Sequence, residues 1–233
     1  MNNITIQLKV KERLNKLDSN DYDNIEAWQI VEAFNKGAVD WTRRQLHGTN
    51  QKQTGDEQSK RRIDDLNILL REIPVAFTEK DLYFTAPLPE DYMEWKRVAA
   101  KAANDCCDNK IRLVIYLAEE ANVDELLRDK NKQPNFEWGE TFCTLKGGKV
   151  RIYTNNIFTV EDVRLSYYKQ PRRIQIIGVV DPYTNLVSTV EVESEFKDDI
   201  VELIVDETVK ILAGDIESVN QMQISENSVE LNN

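Results

Sequence analysis

Apolar and polar positions change period along the chain, and each change marks an element. From Asn135 to Ile177 the period is two. Thr141, Phe142, Cys143, Thr144 and Leu145 form a β-favouring run. Lys146-Gly147-Gly148-Lys149 follows, and then Val150, Ile152 and Thr154 alternate with Arg151, Tyr153 and Asn155. Two such runs about a Gly-Gly turn predict a tight hairpin. Val163, Leu165 and Tyr167 alternate with Arg164, Ser166 and Tyr168; Pro171 interrupts, and Arg173 to Ile177 resumes the pattern. This is the densest strand signal in the chain, and it predicts a small antiparallel β-subdomain with helices on either side.

Before it, the period is three to four. Ile4 to Leu17 alternates early but ends on helical spacing, and a helix is expected, followed by the polar break Asp18-Ser19-Asn20-Asp21. A longer helix is predicted over Asp23 to His47, with Trp28, Val31, Phe34, Ala38 and Trp41 as its apolar stripe. Gly48 is its natural stop. Gly37 in its interior costs about 1 kcal/mol relative to Ala, so it serves close helix packing or is a tolerated flaw. Residues 49–56 read as a loop. Glu57 to Ile73 reads as a further helix on Ile63, Leu66, Leu70 and Ile73, closed by Pro74, completing a helical hairpin.

Val75–Phe77 and Leu82–Thr85 read as short strands about Glu79-Lys80-Asp81, and Ala86-Pro87-Leu88-Pro89 as a break. Residues 91–103 carry two signals. Tyr92, Trp95, Val98, Ala99 and Ala102 have helical spacing, yet the run leads through Cys106-Cys107-Asp108-Asn109 into a strong strand, Ile111 to Leu117. A long hairpin serves the sheet better, and a strand is preferred. Asn122 caps an expected short helix, Val123–Asp129. Val187–Val192 reads as a strand, and Lys197–Ala213 as a helix burying Ile200, Leu203, Ile204, Ile211 and Leu212, with Gly214 as its cap. The expected architecture is α+β. A helical arm spans 1–73, a β-rich subdomain 74–192 and a C-terminal helix packing on the core 193–214, with a flexible assembly tail at 215–233, rich in Asn, Ser, Gln and Glu.

Composition narrows the function classes. The 233 residues carry 30 Lys and Arg against 41 Asp and Glu, a net charge of −11. Such a chain is a poor general binder of nucleic acid, which needs clustered cations. Acidity suits ordinary solubility, and equally a surface past which DNA slides without sticking. Arg43, Arg44, Lys52, Lys60, Arg61 and Arg62 gather at the tips of the expected helical hairpin. They are candidates for contact with DNA phosphates or an acidic partner, or form a solvated charge cluster.

Cys106, Cys107 and Cys143 make neither a disulfide framework nor a zinc site. The N-terminal stretch has no apolar core of signal-peptide length, and no run approaches a membrane span, so the expectation is a soluble product without membrane attachment. His47 is the one histidine, and no G-x-S-x-G elbow, Walker spacing or G-x-G-x-x-G accompanies it. Glu191, Glu193 and Glu195 could bind a hard cation, although alternation on a strand with one wet face produces the same spacing. No cofactor or metal is expected, and an enzyme is disfavoured.

Three strings carry a resemblance. They are Phe136-Glu137-Trp138-Gly139-Glu140-Thr141, Lys149-Val150-Arg151-Ile152-Tyr153-Thr154-Asn155 and Leu165-Ser166-Tyr167-Tyr168-Lys169-Gln170-Pro171. Thr54-Gly55-Asp56-Glu57 with Arg61-Arg62-Ile63-Asp64-Asp65-Leu66, and Val192 to Phe196 leading into Ile200 to Val205, agree with them. Together they resemble the head–tail connector (neck ring, or adaptor) proteins of tailed phages, most of all the ring proteins of crAss-like phages of Bacteroidetes. The likeness runs over roughly residues 20 to 215. It implies a virion structural protein, assembled in the host cytoplasm as a homo-oligomeric ring of twelve copies below the portal. Portal protein, further neck rings and tail proteins are the implied partners, and the genome passes through the channel without sequence-specific binding. Another tail component, of tube or nozzle type, is the nearer alternative; a small metal-dependent enzyme using the three glutamates is the more distant one.

Overall fold

The computed structural model describes residues 1–14, 25–47, 64–104 and 107–215. They divide into two compact units. One is Leu69–Gln170; the other comprises the described residues of Met1–Ile68 and Pro171–Asn233.

The first unit is an eight-stranded sheet: β1 (Leu70–Pro74), β2 (Thr78–Glu79), β3 (Tyr83–Pro87), β4 (Tyr92–Asn104), β5 (Cys107–Leu117), β6 (Glu140–Lys146), β7 (Lys149–Tyr153) and β8 (Thr159–Lys169). The spatial order is β1-β8-β4-β5-β6-β7-β3-β2. The sheet is larger than the small antiparallel one expected, and it is mixed, because β5 and β6 run parallel. The cause lies between them. The chain leaves Leu117, makes the short helix α3 (Val123–Arg128) and re-enters in the same direction. Parallel neighbours need such a crossover. The Asn122 side chain makes no capping bond to α3.

The predicted hairpin is present: β6 and β7 pair with Leu145 opposite Val150 and Lys146 opposite Lys149. Gly147 and Gly148 both hold positive φ, 59° and 68°. Two successive left-handed residues make the turn whose twist matches the flanking strands, which is why glycine stands at both.

Residues 92–104 form a strand, and the helical spacing within them has a specific origin. The register of β4 on β8 slips between Tyr92 and Glu94, Trp95 and Arg97, and Ala99 and Lys101. Each slip inserts a residue and lets inward positions recur after three rather than two. Tyr92, Trp95 and Val98 therefore all meet the core. On β8, Asp162 takes φ 49°, and Val160 and Val163 both point inward across it. Leu165, fully buried, and Tyr167 continue that face. The Tyr167 hydroxyl donates to Asp91 Oδ1 at 2.7 Å, and its ring stacks on Tyr92 at 5.9 Å.

Leu70–Pro74 is β1, not the end of a helix. Residues 64–66 are helical, 67–69 tighten into a 3₁₀ turn, and β1 then pairs antiparallel with Arg164–Tyr168. The β8 backbone needs partners on both edges, and that demand overrides the local helical spacing. The expected strands at 75–77 and 82–85 are displaced to Thr78–Glu79 and Tyr83–Pro87. Val75 and Phe77 pack against the sheet core instead. Ala86 and Pro87 extend β3, so the expected break begins later.

The second unit is helical: α1 (Asn3–Leu14), α2 (Ala27–His47) and α4 (Asp198–Asp215). Ile30, Ala33, Phe34, Gly37, Ala38 and Trp41 are the buried stripe of α2, while Trp28 and Val31 are half-buried. Trp41 meets Phe196 edge to face at 5.4 Å. On α4, Ile200, Val201, Ile204, Val205 and Leu212 are buried, whereas Leu203 and Ile211 are half-buried. Gly214 lies inside α4 rather than capping it. Arg173–Ile177 and Val187–Val192, expected as strands, make only isolated bridges. The polar break at 18–21 and the expected helix start at Asp23, the stop at Gly48, the loop at 49–56, residues 57–63 of the expected third helix, and the tail from 216 lie outside the described residues.

Gly37 faces α4. A Cβ placed there would stand 3.5 Å from Glu207 Cβ and 3.5 Å from the Ile204 carbonyl oxygen, an ordinary contact with no room beyond it. Gly37→Ala is expected to gain up to about 1 kcal/mol of helix propensity, whereas Gly37→Leu forces the helices apart and costs about 1–3 kcal/mol. Urea unfolding of the two variants checks both signs.

Candidate functional site

Residues 175–192 leave the helical unit as a hairpin arm. Gln175 and Val192 exchange backbone hydrogen bonds at 3.0 and 2.9 Å. Further out, Gly178 N donates to the Ser188 carbonyl at 2.9 Å, Ser188 N to Val179 at 2.9 Å and Asp181 N to Leu186 at 3.0 Å. The Asp181 carboxylate organises the tip, accepting from Tyr183 N at 2.9 Å and from the Thr184 hydroxyl at 2.9 Å. Those bonds, the Tyr183 amide first and the Thr184 hydroxyl next, hold the carboxyl below its ordinary value. Asn185 adopts φ 53°, which asparagine tolerates well at a turn.

The outer surface of this arm is apolar. Tyr183 is 80% exposed and Leu186 69%, and Ile177, Val180, Val187 and Val190 are each 45–61% exposed. Six large apolar side chains are thus exposed on one arm, Leu186 and Val187 among them also lining a cavity against α2, and such exposure marks an interaction surface. Beneath the arm a cavity of about 450 Å³ opens against α2, lined by Trp28, Val31, Ile176, Val179, Leu186 and Val187.

Buried amides fix the base of the arm. Asn35 accepts from Ile174 N at 2.8 Å. Asn3, 1% exposed, directs its Nδ2 at the Gln175 and Val192 carbonyls (2.9 and 3.0 Å) and at Glu191 Oε1 (2.6 Å). Glu191 also accepts from Ile177 N at 3.0 Å, and Glu195 from Arg172 N at 2.8 Å. Two of the three candidate metal-binding glutamates thus serve the arm's backbone. No group of three or more metal-ligating side chains is assembled among the described residues.

The helix that carries Asn3 is itself clamped by charge. Lys9 and Arg13 of α1 both pair with Glu202 of α4, and Arg13 reaches Asp206 at 2.5 Å. Burial pushes the Glu202 carboxyl up, but the hydrogen bond from Lys9 and the charge of Arg13 outweigh it and leave it below its ordinary 4.5. Sequence periodicity gave no sign of this seam, since Lys9 and Glu202 are 193 residues apart.

Of the basic candidates, Arg43 is exposed near the C-terminal end of α2, and Arg44 pairs with the buried Glu207 at 2.6 Å. Lys52, Lys60, Arg61 and Arg62 lie outside the described residues. His47 is exposed at the end of α2. Cys143 is buried in the sheet, and burial raises its thiol to about 12, so it is inert rather than nucleophilic.

The sheet unit carries a second surface. A cup of about 750 Å³ is lined by Tyr116, Leu126, Lys130, Lys132, Trp138 and Glu140. Trp138 is 76% exposed, and Val114, which pairs with Glu140 in the sheet, 63%. Tyr116 of its lining leads into a row of ring contacts in the sheet: tilted on Phe142 at 6.0 Å, Phe142 stacked on Tyr153 at 4.8 Å, and Tyr153 tilted on Tyr83 at 5.5 Å, with Arg151 over the Tyr83 ring at 5.0 Å. The Trp138 amide donates to Asn135 Oδ1 at 3.2 Å, which fixes the backbone that presents the indole.

No protein-family model matches this sequence, and no curated protein matches it. Among the described residues no helix is long and apolar enough to cross a membrane.

A carboxyl whose folded value is lowered contributes stability above its unfolded value and loses it as pH falls through the folded value. Glu202 therefore predicts loosening of α1, and with it the arm's base, below about pH 4.5. Glu202→Gln is expected to cost about 0.5–1 kcal/mol at pH 7 for this partly exposed pair and to flatten the acid limb. Hydrogen exchange at Gln175 and Val192 across pH 3–7 is the measurement.

Proposed function

We propose that this chain is a virion structural protein, a head–tail connector that forms a ring below the portal, continues the DNA channel and joins portal to tail. It acts by fitting beside copies of itself and not by transforming a molecule. The observation that carries the reading is the arm: a chain of net charge −11 leaves six large apolar side chains exposed on a hairpin whose base and tip are fixed by hydrogen bonds. Such a surface is built to be covered. The phage-like strings support the same reading from the sequence side. Two of them fall on the hairpin strand β7 and on β8 with its exit, where they specify the sheet framework.

The net negative charge supports a channel lining that repels phosphate. Copies in a closed ring meet through two different patches, and this chain has two exposed apolar surfaces of different character. Twelve copies, the portal and the adjoining neck or tail proteins are the partners of this proposal.

Co-expression with portal protein, followed by particle-mass measurement, tests it. The expected outcome is a complex holding about a dozen copies of this chain, consistent with closed cyclic assembly. A strict monomer that ignores portal overturns the reading. Imaging of intact virions provides the second check, with density for the chain expected at the portal vertex.

A further inference from the structure

We propose that the arm is a hinged flap, which closes on α2 and empties the cavity between them. The device operates within a single chain, so it stands or falls apart from the connector reading.

The cavity has two apolar walls. Trp28 and Val31 of α2, both half-buried, form one. Val179, Leu186 and Val187 of the arm form the other, and Leu186 and Val187 remain 69% and 54% exposed. At roughly 30 Å³ per molecule, the 450 Å³ between the walls holds on the order of fifteen waters. Water held between apolar surfaces is released favourably when they meet, and folded interiors keep few voids of such size. The two walls already share a base, where Asn35 of α2 accepts from Ile174 N at 2.8 Å. Closing therefore costs no translational freedom, unlike the recruitment of a second molecule. That difference selects α2 as the surface that covers Leu186 and Val187.

The arm has a place to bend. Its base is the Gln175–Val192 pair, and its outer ladder begins where Gly178 and Val179 bond to Ser188. Between the two, residues 176–177 on one limb and 189–191 on the other make no backbone bond across the arm. Gly178 stands at the outer edge of this gap with φ 81°, and nothing lies within 4 Å of where its Cβ would be, so rotation there meets no neighbour. One side chain spans the gap. Glu191 accepts from Ile177 N at 3.0 Å and from Asn3 Nδ2 at 2.6 Å, and this tie sets the open angle of the flap. A short unladdered segment at the end of a bonded element is the usual form of a hinge.

Double electron–electron resonance between two nitroxides tests the flap. The labels sit on the full-length chain at Lys36 of α2 and Tyr183 of the tip, both exposed. Cys106→Ser and Cys107→Ser make the labelling specific, since Cys143 is buried. Two distance populations are expected, the shorter one closed. Leu186→Ser with Val187→Ser should deplete the shorter population about tenfold or more, as for the loss of a buried aliphatic side chain. Glu191→Ala, which removes the tie, should enlarge it about threefold or more. A single distance that no substitution moves overturns the proposal, and so does a shorter population that survives both serines.

Discussion

The pairing of β8 with β4 is the constraint on which the sheet unit depends. β8 hydrogen-bonds to β1 on one edge and to β4 on the other, and β4 passes the ladder on to β5 and the rest. Three register slips let one long strand follow the other without losing its inward face. Each slip bends the ladder and adds twist, which allows eight strands to curl about the single core of Val98, Leu113, Ile152, Phe158 and Leu165. Without those slips, alternate residues beyond the first would turn to the wrong face.

Legibility followed the range of the interactions. The Gly147-Gly148 hairpin was plain because turn and strands are local and agree. α2 and α4 were plain because amphipathic spacing persists over several turns, whereas the early alternation of Ile4, Ile6 and Leu8 gave α1 a divided signal. Residues 92–103 gave a divided signal for a physical reason: bulges turn a period of two into steps of three, and steps of three resemble a helix. Leu70–Pro74 misled because Leu66, Leu70 and Ile73 fit a helical stripe, while the deciding partner, Leu165–Tyr168, stands some 90 residues downstream. The candidate site was least legible. Residues 177–190 read as turn and short strand, and nothing local reveals that their apolar side chains face outward. The roles of Asn3, Asn35 and Glu191 depend on contacts more than a hundred residues apart for the two asparagines, which no periodicity encodes.

Magnitudes bear on how such an arm would work. Fully burying a Leu, Val or Ile side chain is worth roughly 1.5–3 kcal/mol, so the six together are of the same order as the estimated 4–15 kcal/mol that association costs. A single contact through the arm would therefore hold a partner only weakly. In a closed ring every copy is held twice, and the last contact formed has no further translational cost. Weak pairs and stable closed assemblies are therefore compatible.

Asn3 gives the arm a further property. Its amide clasps residues that are synthesised long after it, 172 positions on in the case of Gln175, and α1 is held in turn by charges on α4, which follows the arm in the chain. While a nascent polypeptide stops short of α4, the clasp has no support. A product terminated before α4 would keep the arm's internal hydrogen bonds but lose the support of α1 at its base. The arm's base is thus tied to helices on both sides of it in the chain, α1 before and α4 after.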